Sequence, residues 1–173
     1  VDYDGTASSL LVEPERTNLI PYSEDFSDSS WIDSGVSITD NNATSPDGTL
    51  NASTINFSAS SQYLLRNQNI TFAIGDSISI SIYANTSTVG FLSFGGATPS
   101  GTDVANVETL SGGFYRHTLT RTFTASGTSV QFIIFDAAIG NYVIWGAQIE
   151  EGSYATSYIP TSGSTVTRNQ DIF

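Results

Sequence analysis

The fold of this chain is decided by residues 141–160, which read NYVIWGAQIEEGSYATSYIP. Apolar side chains recur at every second position, and a period of two is typical of a β-strand with one buried face. We expect that buried face to consist of Val143, Trp145, Ala147 and Ile149. Because Tyr142 and Ile144 make the start of the strand apolar on both sides, we predict that it lies centrally in a sheet. An extended return rich in tyrosine follows it.

Nine further segments have the residue pattern of short strands, with Gly, Pro, Asn or Asp between them. They are residues 36–39, 53–57, 63–65, 70–74, 77–83, 91–94, 104–110, 114–124 and 130–135. No segment has the period of a convincing amphipathic helix. The sequence therefore predicts an all-β fold, an antiparallel β-sandwich of the jelly-roll type. We expect one domain over residues 1–173, with an N-terminal arm and entry loop at 1–30 and an onward connection to a longer protein at 161–173.

The composition excludes several classes of function. The 173 residues include no cysteine, so disulfides and thiolate metal sites are excluded. Five arginines and no lysine stand against 17 acidic residues, and the formal net charge is −12. Without a basic patch, nucleic acid is not an expected partner. No apolar run is long enough to span a bilayer, so membrane insertion is not expected either.

Two of the predicted strands share a polar face that carries sugar-binding chemistry. In residues 77–83, SISISIY, three isoleucines face the core, and Tyr83 lies on the outer face with the serines. In residues 114–124, Arg116 and Thr118 lie on the polar side. Aromatic rings stack on the C–H faces of sugars, and guanidinium, amide and hydroxyl groups match their hydroxyls. The candidate carbohydrate-binding residues are Trp31, Tyr83, Arg116, Thr118 and Gln131. The alternative is a solvated sheet face, with Trp31 in the core.

Catalysis is not expected from these residues. A single histidine and the lack of thiol and lysine remove most pairs of nucleophile and base. A glycosidase needs only two carboxylates. However, the adjacent Glu150 and Glu151 project to opposite faces of a strand and cannot flank one bond. We therefore predict a protein that is not an enzyme.

An acidic loop near the N-terminus has a composition that suits calcium. Glu24, Asp25 and Asp28 offer hard oxygen ligands at short spacing, although no EF-hand pattern is present. The alternative is a capped turn in which the rings of Phe26 and Trp31 are buried at one end of the hydrophobic core.

The two ends of the chain resemble a known module. Residues 9–31, SLLVEPERTNLIPYSEDFSDSSW, and residues 142–168, YVIWGAQIEEGSYATSYIPTSGSTVTR, resemble a module of bacteriophage tail-fibre and other virion proteins, also found in large secreted bacterial proteins. The plan is also similar to carbohydrate-binding jelly rolls, which often hold one structural calcium ion near their terminal strands. That resemblance implies Glu24, Asp25 and Glu150 as ligands. The closing strand departs from the pattern, because residues 145–147 stand where paired acids are usual.

From these observations we expect a non-catalytic module that attaches a phage tail fibre or virion appendage to a glycan or polysaccharide surface. The expected location is extracellular or in the virion, and homo-oligomers within a fibre are expected. Two alternatives stay open. One is an accessory carbohydrate-binding module of a secreted polysaccharide-degrading enzyme. The other is a purely structural, self-assembling subunit of a virion or filament.

Overall fold

The computed structural model describes residues 12–135 and 138–172. In these residues the chain forms strands and one short 3₁₀ turn at Ser111–Gly113. The strands are β1 (Arg16–Asn18), β2 (Trp31–Ser34), β3 (Ser37–Ala43), β4 (Ala52–Phe57), β5 (Tyr63–Gln68), β6 (Ser77–Ala84), β7 (Leu92–Phe94), β8 (Gly101–Thr109), β9 (Tyr115–Phe123), β10 (Val130–Phe135), β11 (Gly140–Glu151) and β12 (Val166–Arg168).

Ten of these strands form two antiparallel sheets that pack against each other. The four-stranded sheet has the order β2-β5-β10-β7, and the six-stranded sheet has the order β3-β4-β11-β6-β9-β8. The pairing is nested along the chain, since β4 pairs with β11, β5 with β10 and β6 with β9. Successive nested pairs belong to alternate sheets, which is how a jelly roll wraps around its core. The prediction of a single all-β sandwich domain is confirmed.

The core between the sheets contains the side chains that alternation predicts for β6. Ile78, Ile80 and Ile82 are each at most 1% exposed, and they pack in one cluster with Phe132 and Ile134 of β10. Burial of a side chain of this size contributes roughly 1.5–3 kcal/mol to folding. The inward faces of β6 and β10 are therefore as the sequence predicts.

The face predicted to be buried in the first half of the closing strand is wrong. β11 is central, between β4 and β6, as expected. However, Ile144 lies in the core cluster and Trp145 does not, whereas Ala147 and Ile149 do. The reason is a bulge between Trp145 and Gln148, where Gly146 adopts a φ of +64°. A bulge adds one residue to a strand and moves the following side chains to the other face.

The two ends of the described chain meet each other. β1 pairs with β12, and Arg168 forms an ion pair of 2.7 Å with Glu13. Residues 166–168 of the expected onward connection therefore lie on the domain itself. Within the expected N-terminal arm, Ile20 and Phe26 are core residues, so this part of the chain contributes to the core. Residues 1–11 of that arm lie outside the described residues.

One predicted strand does not form. Residues 70–74 contain only an isolated bridge between Phe72 and Gly127. In the part of the chain that the structure describes, no helix has the length and apolar character needed to cross a membrane.

Candidate functional site

The outer face of the six-stranded sheet is built from rows of cross-strand partners. Three of these rows are Glu108-Arg116-Tyr83-Trp145, Asn106-Thr118-Ser81-Gln148 and Val104-Thr120-Ser79-Glu150, each running from β8 through β9 and β6 to β11. We call the outer-face side chains of β8 and β9 the open half, and those of β6 and β11 the covered half.

The covered half lies beneath residues 152–161, which we call the covering segment. Ser79 donates a hydrogen bond to the carbonyl of Gly152 at 2.9 Å. Gln148 accepts one from the backbone N–H of Ile159 at 2.7 Å. Ser79, Ser81, Gln148 and Glu150 are all at most 1% exposed. The serines that alternation places on an outer face are therefore buried by a remote part of the chain.

Three aromatic rings meet where the covering segment crosses the first row. Trp145 contacts Tyr83 and Tyr158, with ring centroids 5.1 Å and 4.6 Å apart, and Tyr83 lies 6.2 Å from Tyr158. Interplanar angles of 58° to 75° are tilted or edge-to-face arrangements, which aromatic pairs favour. Because the rings fill the space between one another, they form a packed cluster and not a cage. We call these three residues the aromatic cluster.

Arg116 is fixed at the border between the two halves. Its guanidinium lies 5.4 Å from the centre of the Tyr83 ring. One guanidinium nitrogen donates to the carbonyl of Thr156 in the covering segment and lies 3.4 Å from the hydroxyl of Ser81. The Nε atom is buried and has no hydrogen-bond partner among residues 12–135 and 138–172. The arginine is thus held in place by the covering segment and the aromatic cluster together.

In the described part of the chain, the hydroxyl, amide and carboxylate groups of the open half are exposed or half-buried. Asn106 and Glu108 of β8 are exposed, and Thr118 and Thr120 of β9 are half-buried. Val104 is 67% exposed and adds an apolar element to the same face. A guanidinium, amides and hydroxyls on a flat face beside aromatic rings can bind a hydroxyl-rich ligand.

The structure brings three of the predicted sugar-binding residues together and separates two. Tyr83, Arg116 and Thr118 lie on the outer face of the six-stranded sheet. Gln131 lies on β10 of the other sheet, so it is not beside them, and its side chain bonds to Ala97 N and Asn67. Trp31 is 5% exposed and packs between Phe26 and Phe132 in the core. The alternative interpretation of Trp31 as a core residue is the one that matches its position.

Sequence reasoning missed Trp145 and Tyr158, the other two rings of the cluster. The signal that could have found Trp145 is Gly146, because an isolated glycine inside a strand indicates a bulge. A Cβ at Gly146 would lie 3.1 Å from the Tyr83 ring and 3.3 Å from the Tyr158 ring. This glycine therefore lets the rings pack against the backbone of the bulge.

Burial governs the ionisation of the tyrosines in this cluster. It raises the pKa of Tyr83, and the nearby Arg116 guanidinium opposes that shift in part. Burial also raises the pKa of Tyr158 strongly, although its hydroxyl hydrogen-bonds to Ser23 at 2.6 Å. Both phenols are neutral at physiological pH, so they act as hydrogen-bonding groups on apolar rings.

The single histidine is a packed residue. His117 is 2% exposed, its Nε2 lies 2.6 Å from the carbonyl of Thr86, and its ring contacts Phe91. Desolvation lowers the pKa of His117. A neutral, buried imidazole on the inner side of β9 has no access to a ligand on the outer face.

The three carboxylates predicted as calcium ligands each bond to groups of the protein. Glu24 accepts hydrogen bonds from Asn51 at 3.0 Å and from Tyr158 at 2.9 Å. Glu150 accepts from the backbone N–H of Thr156 at 3.0 Å and from its hydroxyl. Asp25 is exposed and accepts from Ser27 at 3.1 Å. The described residues contain no group of three or more His, Cys, Asp or Glu side chains placed to hold a metal ion. The calcium site stays a prediction.

Comparisons with known proteins give little that bears on identity. No protein-family model matches the chain, and no curated protein matches it. Among solved structures, the chain is similar to the crystal structure of the enzymatically active domain of bacteriophage CBA120 tailspike protein 4. The match has a TM-score of 0.47 and 11% sequence identity, and it covers 78% of this chain and 21% of that chain. A likeness of this size carries no argument about activity or ligand.

Proposed function

We propose that this chain is a non-catalytic carbohydrate-binding module that attaches a phage tail fibre or other virion appendage to a glycan surface. The observation that carries the proposal is the position of Arg116, which borders an open face of hydroxyl and amide groups on one side and the aromatic cluster on the other. Guanidinium, amide and hydroxyl groups match the hydroxyls of a sugar, and apolar ring surface beside them can contact its C–H groups. The resemblance of residues 9–31 and 142–168 to a virion module supports the choice of appendage.

The charge distribution supports a ligand without strong negative charge. The chain carries −12, and Glu108 stands opposite Arg116 in the same row. A polysaccharide with dense sulfate or phosphate groups would meet repulsion over most of the surface. Neutral sugars carry no such penalty.

The proposal is tested by a glycan array with the purified chain and two arginine variants of the same strand. Arg116→Gln removes the fixed guanidinium and should abolish binding. Arg121→Gln is the matched control, because Arg121 lies on the other side of β9 and pairs with Asp103. Binding that is equal in both variants, or absent from a folded wild-type chain, would contradict the proposal.

The same array tests the calcium prediction when it is run with calcium and with a chelator. Binding that falls with chelator would support an ion at Glu24, Asp25 and Glu150. Identical binding, with an identical melting temperature, would leave no role for calcium in this domain.

A further inference from the structure

The two depressions that flank Glu151 and Gly152 are separate from the face that carries Arg116. The larger has a volume of about 360 Å³ and is lined by Glu15, Arg16, Thr17, Leu19 and Glu151. The smaller has a volume of about 270 Å³, and its lining includes Asp76, Ser77, Glu151 and Gly152. Pockets that hold small molecules have volumes of roughly 300–1,000 Å³. Glu151 lines both depressions, so they adjoin each other at this residue.

An exposed aromatic ring lies beside Arg16, which lines the larger depression. Tyr154 is 52% exposed, and the Arg16 guanidinium lies 5.4 Å from the centre of its ring. Arg16 also donates to the carbonyl of Glu15 at 3.1 Å. The exposed part of an aromatic ring can stack on the C–H face of a sugar.

Gly152 is required for this placement of Arg16. Its φ is +146°, and a Cβ at this position would lie 2.7 Å from a guanidinium nitrogen of Arg16. The guanidinium therefore packs directly on the bare backbone of residue 152. Its Nε atom is buried and has no hydrogen-bond partner in the part of the chain that the structure describes.

The charges around the depressions select the class of ligand. Glu15, Glu151 and Asp76 place three carboxylates in the two linings, against the single guanidinium of Arg16. A carboxylate accepts hydrogen bonds from adjacent hydroxyl groups, whereas it repels an acidic sugar. The positive charge of Arg16, which lines the larger depression, repels a free metal cation there.

We propose that this pair of depressions is a second glycan subsite, which takes neutral sugar units of a polysaccharide stacked beside Tyr154 and hydrogen-bonded to Glu151. The subsite lies outside the Arg116 face and can bind whether or not that face does. It extends the proposed function, because a polysaccharide long enough to reach both sites would be held at two points.

The test is a titration of the ¹⁵N-labelled full chain, followed by amide NMR shifts. The probes are neutral trisaccharides of hexose and of N-acetylhexosamine, with trigalacturonate as the acidic counterpart. We expect saturable shifts at Arg16, Glu151, Gly152 and Tyr154 with a neutral trisaccharide and none with trigalacturonate. Tyr154→Ala and Glu151→Gln should each weaken this binding roughly tenfold, equivalent to about 1.4 kcal/mol.

The control variant is Asp33→Asn, which neutralises an exposed carboxylate on β2 of the other sheet and should bind as the wild type does. Shifts that are unchanged in Tyr154→Ala, absent with all neutral probes, or present only with trigalacturonate would overturn the proposal. Shifts at Arg116 and Thr118 in the same spectra report the other face. The two sites can therefore fail or succeed independently.

Discussion

The open half and the covered half of one sheet face are made of similar residues and differ in what lies on them. Both halves present small polar side chains at every second position, such as Thr118 on β9 and Ser81 on β6, which are direct partners. Ser81 is 1% exposed because the covering segment lies over it, whereas Thr118 is half-buried at the edge of the cover. Exposure of the β6 side chains on this face is therefore decided by a segment that is remote from them in sequence.

The difference means that the same side-chain chemistry has two uses. In the covered half, polar groups bond to one another and to the backbone, so losing one leaves a buried partner unsatisfied. In the open half, Thr120 and Thr122 bond to Ser79 and Ser77 across the strands at 2.7 and 2.8 Å. The exposed side chains of Asn106 and Glu108 face solvent and can bind a ligand. Four pairs of variants test the effect of the cover, and we give them from the largest expected effect to the smallest.

The largest effect is expected at Asn18, which joins β11 to the covering segment. Its amide donates to the carbonyls of Ala147 at 3.1 Å and Ile159 at 2.9 Å. Its oxygen accepts from the N–H groups of Ile20 and Ile149. Asn18→Ala leaves these buried groups without a partner and should lower the free energy of unfolding by about 3 kcal/mol or more. Denaturant unfolding measures this change.

The matched control for Asn18 is the asparagine of the open half. Asn106→Ala removes an exposed amide from β8 and should change the free energy of unfolding by less than about 0.5 kcal/mol. Equal losses in both variants would mean that the cover does not separate the two halves energetically.

The second pair of variants compares two threonines. Thr156 is 2% exposed and donates its hydroxyl hydrogen to the buried carboxylate of Glu150. Thr156→Val keeps the shape and removes this donor, so we expect a loss of roughly 1.5–3 kcal/mol in denaturant unfolding. Thr118→Val in the open half should cost less than about 0.5 kcal/mol. A loss at Thr118 as large as that at Thr156 would be evidence against the comparison.

Alternation predicts the strands and their inward faces, but it does not predict the cover. Ile78, Ile80 and Ile82 could be assigned to the core because the period of two is a property of neighbouring residues. The bond from Asn18 to Ile159 joins residues 141 positions apart, and no local pattern contains it. The burial of Ser79 and Ser81 was missed for the same reason.

The sequence predicted only part of the candidate site. Some of its residues lie on regularly alternating strands, whereas Trp145 lies next to a bulge. Tyr83, Arg116 and Thr118 follow from the alternation of β6 and β9, so their common face was predictable. Trp145 reaches that face only because the bulge at Gly146 reverses the alternation. The sequence has two tryptophans, and the prediction assigned Trp31, which lies in the core cluster, to the site and left Trp145 out.

A third test addresses the bulge that places Trp145 under the cover. Gly146→Ala puts a side chain at a φ of +64° and brings a Cβ within 3.1 Å of Tyr83. The left-handed conformation alone costs roughly 1–2 kcal/mol for a residue with a Cβ. Gly96→Ala is the control, since a Cβ there meets nothing within 4 Å, and it should change the melting temperature little. A melting temperature that falls equally in both variants would contradict the role of the bulge.

The smallest effect is a pH dependence that comes from burial of Tyr158, a residue of the covering segment. Burial raises the pKa of Tyr158 in the folded protein above its ordinary value of 10.0. Above that value the unfolded chain releases the phenolic proton while the folded chain retains it, so stability falls as the pH rises. By about pH 10.5 this group should account for a loss of about 0.8 kcal/mol in the free energy of unfolding.

Tyr158→Phe removes the contribution of this phenol to the pH dependence, which is measured by unfolding at a series of alkaline pH values. Thr156→Val also weakens the cover, but it keeps the phenol and should therefore keep the wild-type slope. Equal alkaline slopes of unfolding free energy in Tyr158→Phe and Thr156→Val would contradict this prediction. They would mean that the Tyr158 phenol is hydrated in the folded protein, and that the covering segment does not exclude water from it.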